Sequence, residues 1–377
     1  MLTIKKAVDI TCNHSLNRDY DTERILYFDI ETTGFSPKTT YLYMIGCIYY
    51  KDSSYHLIQW FAEDIEEEAQ LISAFFDFLE DYDVLVHYNG LGFDIPYINK
   101  KCSHLTLNYS FRNITHIDIY KEISPYKKLF RLNNFKQKSI EKFLGINRDD
   151  TEDGGSLIPI YQSYIGKRRI EKLKGFNMPE AEDKSLLEST ELLDVLLLHN
   201  EDDLKGLIMI SHILAYIDIF KKPISIIGCT IEDNKLLINF QLSSSIPVRI
   251  SLGNDLHYFS AFGKAASLSS KIFEGKMKYF YDDYKDYYYL PREDKAIHKS
   301  IALYVDKDFR EKAKASNCYT KKDGVFIPLY KDIFTPIFRR NYEDKKIGFI
   351  ELTEDFISNK DKLYTYTNHL LDHMLSI

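Results

Sequence analysis

Two acidic residues stand two positions apart in a segment whose other side chains are typical of a buried β-strand. They are Asp29 and Glu31, in the run Ile-Leu-Tyr-Phe-Asp-Ile-Glu-Thr-Thr-Gly at positions 25–34. Because residues i and i+2 of a strand point to the same side, both carboxylates lie on one face. Buried carboxylates are unfavourable unless their charge is compensated. We therefore expect a cation between them, and this pair favours a divalent metal ion.

Two later segments add further acidic residues. Residues 84–94 are typical of a short apolar strand, a glycine-containing turn and then Asp94, which stands where a helix begins. Residues 192–207 have helical periodicity, and His199 and Asp203 lie four positions apart on one face of that helix. The sequence thereby offers four carboxylates and one titratable base.

Several of these positions also have plain structural interpretations. Asp94 alone would more often be a helix N-cap, and His199 alone would be a partly buried helical residue with a hydrogen-bonded neighbour. Asp202 is a ligand candidate by adjacency, but the apolar face of the helix favours Asp203 as the residue one turn after His199. Asp118 lies in residues 115–120, which alternate like a strand. It could line the same cleft or cap the following turn, and we favour a role that is structural or that supports the ligands from behind.

Three motifs carry a resemblance to a known group of proteins. They are Phe-Asp-Ile-Glu-Thr-Thr-Gly at 28–34, Tyr-Asn-Gly-Leu-Gly-Phe-Asp at 88–94 and His-Asn-Glu-Asp-Asp at 199–203. In this order they make residues 22–220 resemble the DEDD exonuclease superfamily of ribonuclease H-like nucleases, most closely its bacterial ribonuclease H-like domain proteins that are predicted exonucleases. The resemblance implies hydrolysis of DNA or RNA, in the 3′-to-5′ direction.

The same resemblance implies a centre with two Mg²⁺ or Mn²⁺ ions, which suit carboxylate oxygens. Asp29 would bridge both ions, and Glu31 and Asp203 would each bind one. Asp94 would bind directly or through water. His199 would orient and deprotonate the attacking water, because a histidine titrates near neutrality. The superfamily has either a tyrosine three intervening residues before the last aspartate or a histidine four before it, whereas His199 has the tyrosine spacing.

Charge is divided unevenly along the 377 residues, whose net charge is -7. Residues 1–220 contain 24 basic and 35 acidic residues, a net of -11, and residues 221–377 contain 25 and 21, a net of +4. The acidic excess lies where the metal ions are expected. The basic excess favours a C-terminal part that helps to hold a polyanionic substrate, although a solvated surface of mixed charge explains it equally well.

The cysteines and the apolar runs bear on the compartment. The five cysteines are odd in number and widely spaced, with no Cys-x-x-Cys pair, so that they favour neither a disulfide framework nor a zinc ribbon. The first residues lack a long apolar core, and no run of about 18 apolar residues follows. We expect a cytoplasmic protein without a membrane segment.

The pattern of apolar residues predicts two domains after an N-terminal extension at 1–21. Residues 22–220 alternate strand and helix patterns, which predicts an α/β fold, a ribonuclease H-like mixed sheet flanked by helices. The helical pattern stops at Pro223, and we place the boundary after residue 220. For residues 221–377 we expect a smaller, antiparallel-rich α+β domain, with a meander over 225–290, a helix over 306–316 and a terminal helix over 354–375.

The C-terminal domain is also rich in tyrosine. The run Tyr287 to Tyr289 lies near Arg292, Lys295 and Lys299, and such rings could stack on unpaired bases. A half-buried sheet is an equally suitable place for them. The basic run at 166–175 is a second stretch that could touch phosphates, or form a solvated face.

Three classes of function fit these patterns. The first is the metal-dependent exonuclease, acting at the end of a single strand. The second is a nucleic-acid-binding module with the same fold and little activity, which the spacing of His199 permits. The third is a two-metal hydrolase of nucleotides or short oligonucleotides.

Overall fold

The computed structural model describes residues 1–10, 16, 19–146, 155–175 and 184–376. The chain divides into two compact units. The first comprises Met1–Lys127 and Arg131–Ile217, and the second comprises Lys128–Phe130 and Asp218–Ile377. The boundary that we predicted after residue 220 lies three residues beyond the end of the first unit.

A six-stranded mixed sheet forms the centre of the first unit. Its strands are β1 (Leu2–Val8), β2 (Ile25–Thr32), β3 (Leu42–Lys51), β4 (Ser54–Phe61), β5 (Val84–His87) and β6 (Thr115–Asp118). Their order is β1-β4-β3-β2-β5-β6. The first four in this order pair antiparallel, and β2, β5 and β6 pair parallel. The predicted mixed sheet is confirmed.

The edge strand β1 corrects our assignment of residues 1–21 to an extension. Leu2–Val8 pairs with β4 along its whole length, and the side chains of Leu2 and Ile4 pack against a buried cluster around Tyr43. Two consecutive lysines interrupt the alternation of apolar and polar residues here, so that the sequence pattern did not predict this strand. A sheet edge tolerates such lysines because its outer side faces water.

Helices cover both faces of this sheet. The helices of this unit are α1 (Glu68–Leu79), α2 (Asp94–His104), α3 (Ile119–Ile123), α5 (Gln137–Leu144), α6 (Leu157–Gly175) and α7 (Lys184–Ile210). The short helix α4 (Lys127–Phe130) lies between α3 and α5 in sequence, and three of its four residues belong to the second unit. Leu26, Phe28 and Ile30 of β2 share a buried cluster with residues of α1 and α2. The alternate residues of β2, Asp29 and Glu31, therefore face the side on which α7 packs.

The long basic run at 166–175 forms the C-terminal half of helix α6. In the same unit, the helical periodicity that we identified over 192–207 lies within α7, which ends at Ile210 and is followed by 3-10 turns over Ser211–Tyr216. Within the described residues, every helix is too short or too polar to traverse a lipid bilayer.

The second unit contains three small antiparallel sheets. Its elements are α8 (Asp218–Lys221), β7 (Ser225–Glu232), β8 (Lys235–Gly253), β9 (His257–Lys271), β10 (Phe273–Phe280), β11 (Tyr287–Leu290), β12 (Lys295–His298), α9 (Lys299–Ala302), β13 (Glu311–Lys312), β14 (Tyr319–Leu329), β15 (Gly348–Glu351), α10 (Glu354–Ser358) and α11 (Lys360–Ser376). The strand orders are β7-β8-β9, β10-β14-β15 and β12-β11-β13. The predicted antiparallel-rich region is confirmed.

Two predicted helices of this unit differ from the structure. The helix expected over 306–316 is wrong, because Lys307–Phe309 is a 3-10 turn and the next residues form β13, which pairs with β11. The terminal helix is divided at Asn359, whose side chain accepts hydrogen bonds from the backbone N–H groups of Asp361 and Lys362. This cap begins α11 and separates it from α10.

Candidate metal centre and active site

One strand and one helix supply most of the acidic cluster. Asp29 and Glu31 project from β2, and α7 presents His199 and Asp203 on one turn beside it. The Nε2 atom of His199 lies 3.8 Å from Oε1 of Glu31 and 3.3 Å from Oδ2 of Asp203. Glu31, His199 and Asp203 each offer one ligand atom within 4.8 Å of the others, and this group does not include Asp202.

Asp29 and Asp94 complete the cluster. Removal from water raises the pKa of Asp29 well above its usual value, and the negative charges of Glu31, Asp203 and Asp94 raise it further. Asp94 begins α2, and burial raises its pKa to about 7. The charges of Glu31, Asp203 and Asp94 thus all act on Asp29, and the ligand atoms of Glu31, His199 and Asp203 form the compact part of the cluster.

The donor set of this cluster fits a divalent metal ion. Carboxylate oxygens are hard ligands that suit Mg²⁺ and Mn²⁺. The raised pKa of Asp29 means that its negative charge is poorly compensated within the protein. A cation among the four carboxylates would compensate it. The residues that could hold such ions are Asp29, Glu31, Asp94 and Asp203.

Two buried amides that the sequence analysis missed orient Asp29. Asn200 donates a hydrogen bond from Nδ2 to Oδ2 of Asp29, at 3.0 Å. Gln59 of β4 donates from Nε2 to Oδ1 of Asn200, at 3.0 Å, and to the carbonyl of Leu197, at 2.9 Å. The available signals were the polar Gln59 inside an apolar strand and the place of Asn200 directly after His199.

A glycine makes room for this arrangement. Gly46 of β3 pairs in register with Asp29. A Cβ atom at this position would lie 1.8 Å from Oδ1 of Asn200 and 2.8 Å from Cδ1 of Leu204. The absence of a side chain at Gly46 therefore permits the close approach of α7 to the sheet.

Asp118, at the end of β6, holds the turn that leads to Asp94. Its carboxylate accepts hydrogen bonds from the backbone N–H groups of Asn89, Leu91 and Lys121, at 2.9, 3.1 and 3.2 Å. Asn89 adopts the left-handed conformation, with φ of 59°. These bonds give Asp118 a structural role, as the sequence analysis expected.

A cavity of about 670 Å³ adjoins the same turn. Its lining includes Asn89, Tyr120, Lys127 and Gln137. The ammonium group of Lys127 lies 5.4 Å from the ring centroid of Tyr120. Gln137 donates a hydrogen bond to the backbone carbonyl of Asp203, at 2.8 Å. The cavity therefore shares Asn89 with the turn before Asp94, and its Gln137 contacts the backbone of Asp203.

The chain belongs to the RNase_H superfamily, whose family model matches residues 26–215. The matched region begins in β2 and ends beyond α7, so that it contains every residue of the acidic cluster. The ribonuclease H-like fold that the motifs predicted is confirmed for this region. Among curated proteins, the comparison finds no match to the chain.

Several solved structures are similar to parts of the chain. A family B DNA polymerase from the archaeon Pyrobaculum calidifontis is 14% identical, over 70% of this chain and 35% of that chain, with a TM-score of 0.32. The metal-free form of the E. coli exonuclease I complex with single-stranded DNA is 15% identical, over 40% and 44%, with a TM-score of 0.26. Exonuclease I in complex with a dT13 oligonucleotide is 14% identical, over 40% and 42%, with a TM-score of 0.27. The chain spans less than half the length of each of these proteins.

Proposed function

We propose that the first unit is a metal-dependent exonuclease that hydrolyses phosphodiester bonds of DNA or RNA from the 3′ end, with two divalent ions. The observation that carries this proposal is the grouping of Glu31, His199 and Asp203 within 4.8 Å, next to a buried Asp29 on which the charges of Glu31, Asp203 and Asp94 act, in a chain of the RNase_H superfamily. The direction of attack follows from the resemblance of the three motifs.

The four carboxylates would hold Mg²⁺ or Mn²⁺. When bound, two such ions would supply positive charge that stabilises the attacking and leaving oxygens of the phosphodiester. The protein's own contribution is to position the ligands. Asn200 orients Asp29 through a 3.0 Å hydrogen bond. Asp118 accepts two hydrogen bonds from the backbone of the turn before Asp94 and a third from the backbone of α3.

In this proposal His199 accepts the proton of the attacking water. Its Nε2 atom lies 3.3 Å from the carboxylate of Asp203, which would stabilise the imidazolium that proton transfer creates. The same atom belongs to the group of possible metal ligands with Glu31 and Asp203. The two roles differ in their effect on metal affinity, which a variant of His199 can measure.

The adjoining cavity supports a polynucleotide as the substrate. A nucleotide presents an aromatic base, hydrogen-bonding edges and a phosphate, and the cavity offers the ring of Tyr120, the ammonium group of Lys127 and the amide of Asn89. Its volume of about 670 Å³ lies in the usual range for sites that bind small organic groups.

A degradation panel tests the proposal. Single strands of DNA and RNA, labelled at the 5′ or the 3′ end, are incubated with the full chain and Mg²⁺, Mn²⁺ or EDTA. We expect stepwise shortening of the 5′-labelled strand with either ion and no cleavage with EDTA. Asp29→Asn and Asp203→Asn should each slow cleavage by ~10²-fold or more, because each removes an ion ligand. Asp194→Asn, at an exposed position on the same helix, should cleave at the wild-type rate.

Other outcomes would contradict the proposal in distinct ways. Strands that are bound but never shortened would indicate a binding module. Cleavage restricted to nucleotides or very short oligonucleotides would indicate the third class of function. Cuts within a circular single strand would exclude an exonuclease.

A further inference from the structure

The second unit has a cavity of its own, with a volume of about 680 Å³. Its lining combines tyrosines with lysines, namely Tyr284, Tyr287, Tyr288, Lys285, Lys299 and Lys312. These residues come from β11, α9, β13 and the turn before β11. Aromatic rings and ammonium groups thus share one concave surface.

Tyr288 is held in place by the sheet around it. On the central strand β11 it pairs with Ile297 of β12 on one side and with Lys312 of β13 on the other. The guanidinium group of Arg310 lies 5.0 Å from the centroid of its ring, and the same group donates a hydrogen bond to the carbonyl of Ala302. A ring fixed in this way loses little conformational freedom when a second ring stacks on it.

Tyr287 forms the adjoining wall and is committed to packing. Its ring stacks on Tyr281, with centroids 4.4 Å apart and planes 15° apart, and meets His298 edge-on at 5.5 Å. Both tyrosines pack against a buried cluster that includes Ala313. Tyr289 packs against the same cluster, so that Tyr288 is the tyrosine of β11 that remains for a ligand.

Two of the lysines have charges that the described residues do not neutralise. Lys299 forms an ion pair with Asp286, at 2.6 Å. Lys285 and Lys312 are exposed and form no ion pair within the part of the chain that the structure describes. Glu311, the neighbour of Lys312 in sequence, accepts a hydrogen bond from Nδ2 of Asn317. The cavity thus offers two ammonium groups to an anion.

We propose that this cavity binds an unpaired nucleotide of a single-stranded polynucleotide, with the base stacked on Tyr288 and the phosphate at Lys285 and Lys312. An aromatic anion complements both features of the lining. Stacking on tyrosine and contact with phosphate are the two interactions by which proteins hold single strands without reading their sequence. The choice of a polynucleotide as the ligand rests on the proposed function.

The test measures binding separately from cleavage. The full chain carries Asp29→Asn, and EDTA is present, so that the strand stays intact. The anisotropy of labelled oligothymidylate and oligouridylate gives the dissociation constant over a range of salt concentrations. Tyr288→Ala should weaken binding of both strands by about tenfold, whereas Tyr288→Phe should retain it, because stacking needs only the ring.

The lysines are tested by charge reversal at exposed positions, which spares the fold. Lys285→Glu with Lys312→Glu should weaken binding and flatten the slope of log affinity against log salt by about 0.7 for each phosphate contact that is lost. Tyr258→Ala and Lys264→Glu serve as matched controls, because both side chains are exposed on β9 in another sheet. The controls should bind as the parent does.

Unchanged affinity in Tyr288→Ala and in the lysine variant, or an equal loss in the controls, would overturn the inference. Its failure is distinguishable from that of the proposed function. If the wild-type protein degrades strands and the Tyr288 and lysine variants bind normally, only the proposed role of the cavity is refuted. If binding depends on Tyr288 but the wild-type protein never shortens a strand, only the proposed exonuclease activity is refuted.

Discussion

Gly46→Ala should disable the acidic cluster without replacing any proposed metal ligand. The new Cβ atom would lie 1.8 Å from Oδ1 of Asn200, so that this amide must move by about 1.6 Å to reach the 3.4 Å of an ordinary contact. Such a shift breaks the 3.0 Å hydrogen bond from Asn200 to Asp29 and the 3.0 Å bond from Gln59 to Asn200. Asp29 then loses the donor that orients it.

The structure suggests the size of the effect. Overpacking of a dense interior lowers the free energy of unfolding by ~1–3 kcal/mol, and the loss of two buried hydrogen bonds adds ~1–3 kcal/mol. We expect the free energy of unfolding of the first unit to fall by ~2–6 kcal/mol in all. Its affinity for Mn²⁺ should fall ~10–100-fold, because residues that orient metal ligands contribute about this much.

Two measurements check this expectation. Trp60, the single tryptophan of the chain, is buried in β4, so that its fluorescence in urea reports the unfolding of the first unit. Calorimetric titration gives the affinity for Mn²⁺. Gly166→Ala is the matched control, because a Cβ there meets nothing within 4 Å. This helical position should keep its stability or gain up to ~1 kcal/mol.

A double variant separates the clash from the lost hydrogen bond. In Gly46→Ala with Asn200→Ala, the truncated side chain removes the closest clash, so that the two losses of stability should not add. The affinity for Mn²⁺ should stay low, because Asp29 still lacks its donor. Wild-type stability and Mn²⁺ affinity in Gly46→Ala, or strictly additive losses in the double variant, would refute the reasoning.

Two further predictions concern histidines. His199→Ala should lower turnover by ~10²-fold and leave the affinity for Mn²⁺ within a few fold; a loss of affinity of tenfold or more, measured by titration, would instead identify His199 as a metal ligand. In the second unit, burial and the neighbouring His373 lower the pKa values of His257 and His369 to about 4. In the unfolded chain these histidines are protonated below about pH 6.5, whereas in the folded unit they are protonated only below about pH 4. As the pH falls through this window, the free energy of unfolding should therefore decrease by up to ~3 kcal/mol for each histidine. Amide exchange of this unit at pH 7 and pH 4.5 measures the effect, and equal protection at both values would contradict it.

The acidic residues could be predicted because their spacing is local. Asp29 and Glu31 share a face through the two-residue repeat of a strand, and His199 and Asp203 through the four-residue spacing of a helix. Asp94 was found through its motif. Neighbours in the chain determine these relations, so that no knowledge of the tertiary structure is needed.

The supporting residues depend on which strands become neighbours. Gln59 reaches Asn200 only because β4, β3 and β2 lie side by side with α7 above them. In the sequence, Gly46 only interrupts an apolar strand. That a side chain must be absent here becomes evident only in the fold, where Asn200 lies against this position. The edge strand β1 was missed for a related reason, because its outer side faces water and its lysines hide the apolar pattern.

His199, Asn200 and Asp203 of α7 lie opposite two acidic residues of β2. A divalent ion bound as proposed to residues of both elements would hold the helix against the strand. Because such an ion favours the folded chain, an ion concentration of a hundred times the dissociation constant would add ~2.7 kcal/mol to the free energy of unfolding. The concentration of divalent ions would then determine how stable the folded protein is as well as whether it is catalytically active.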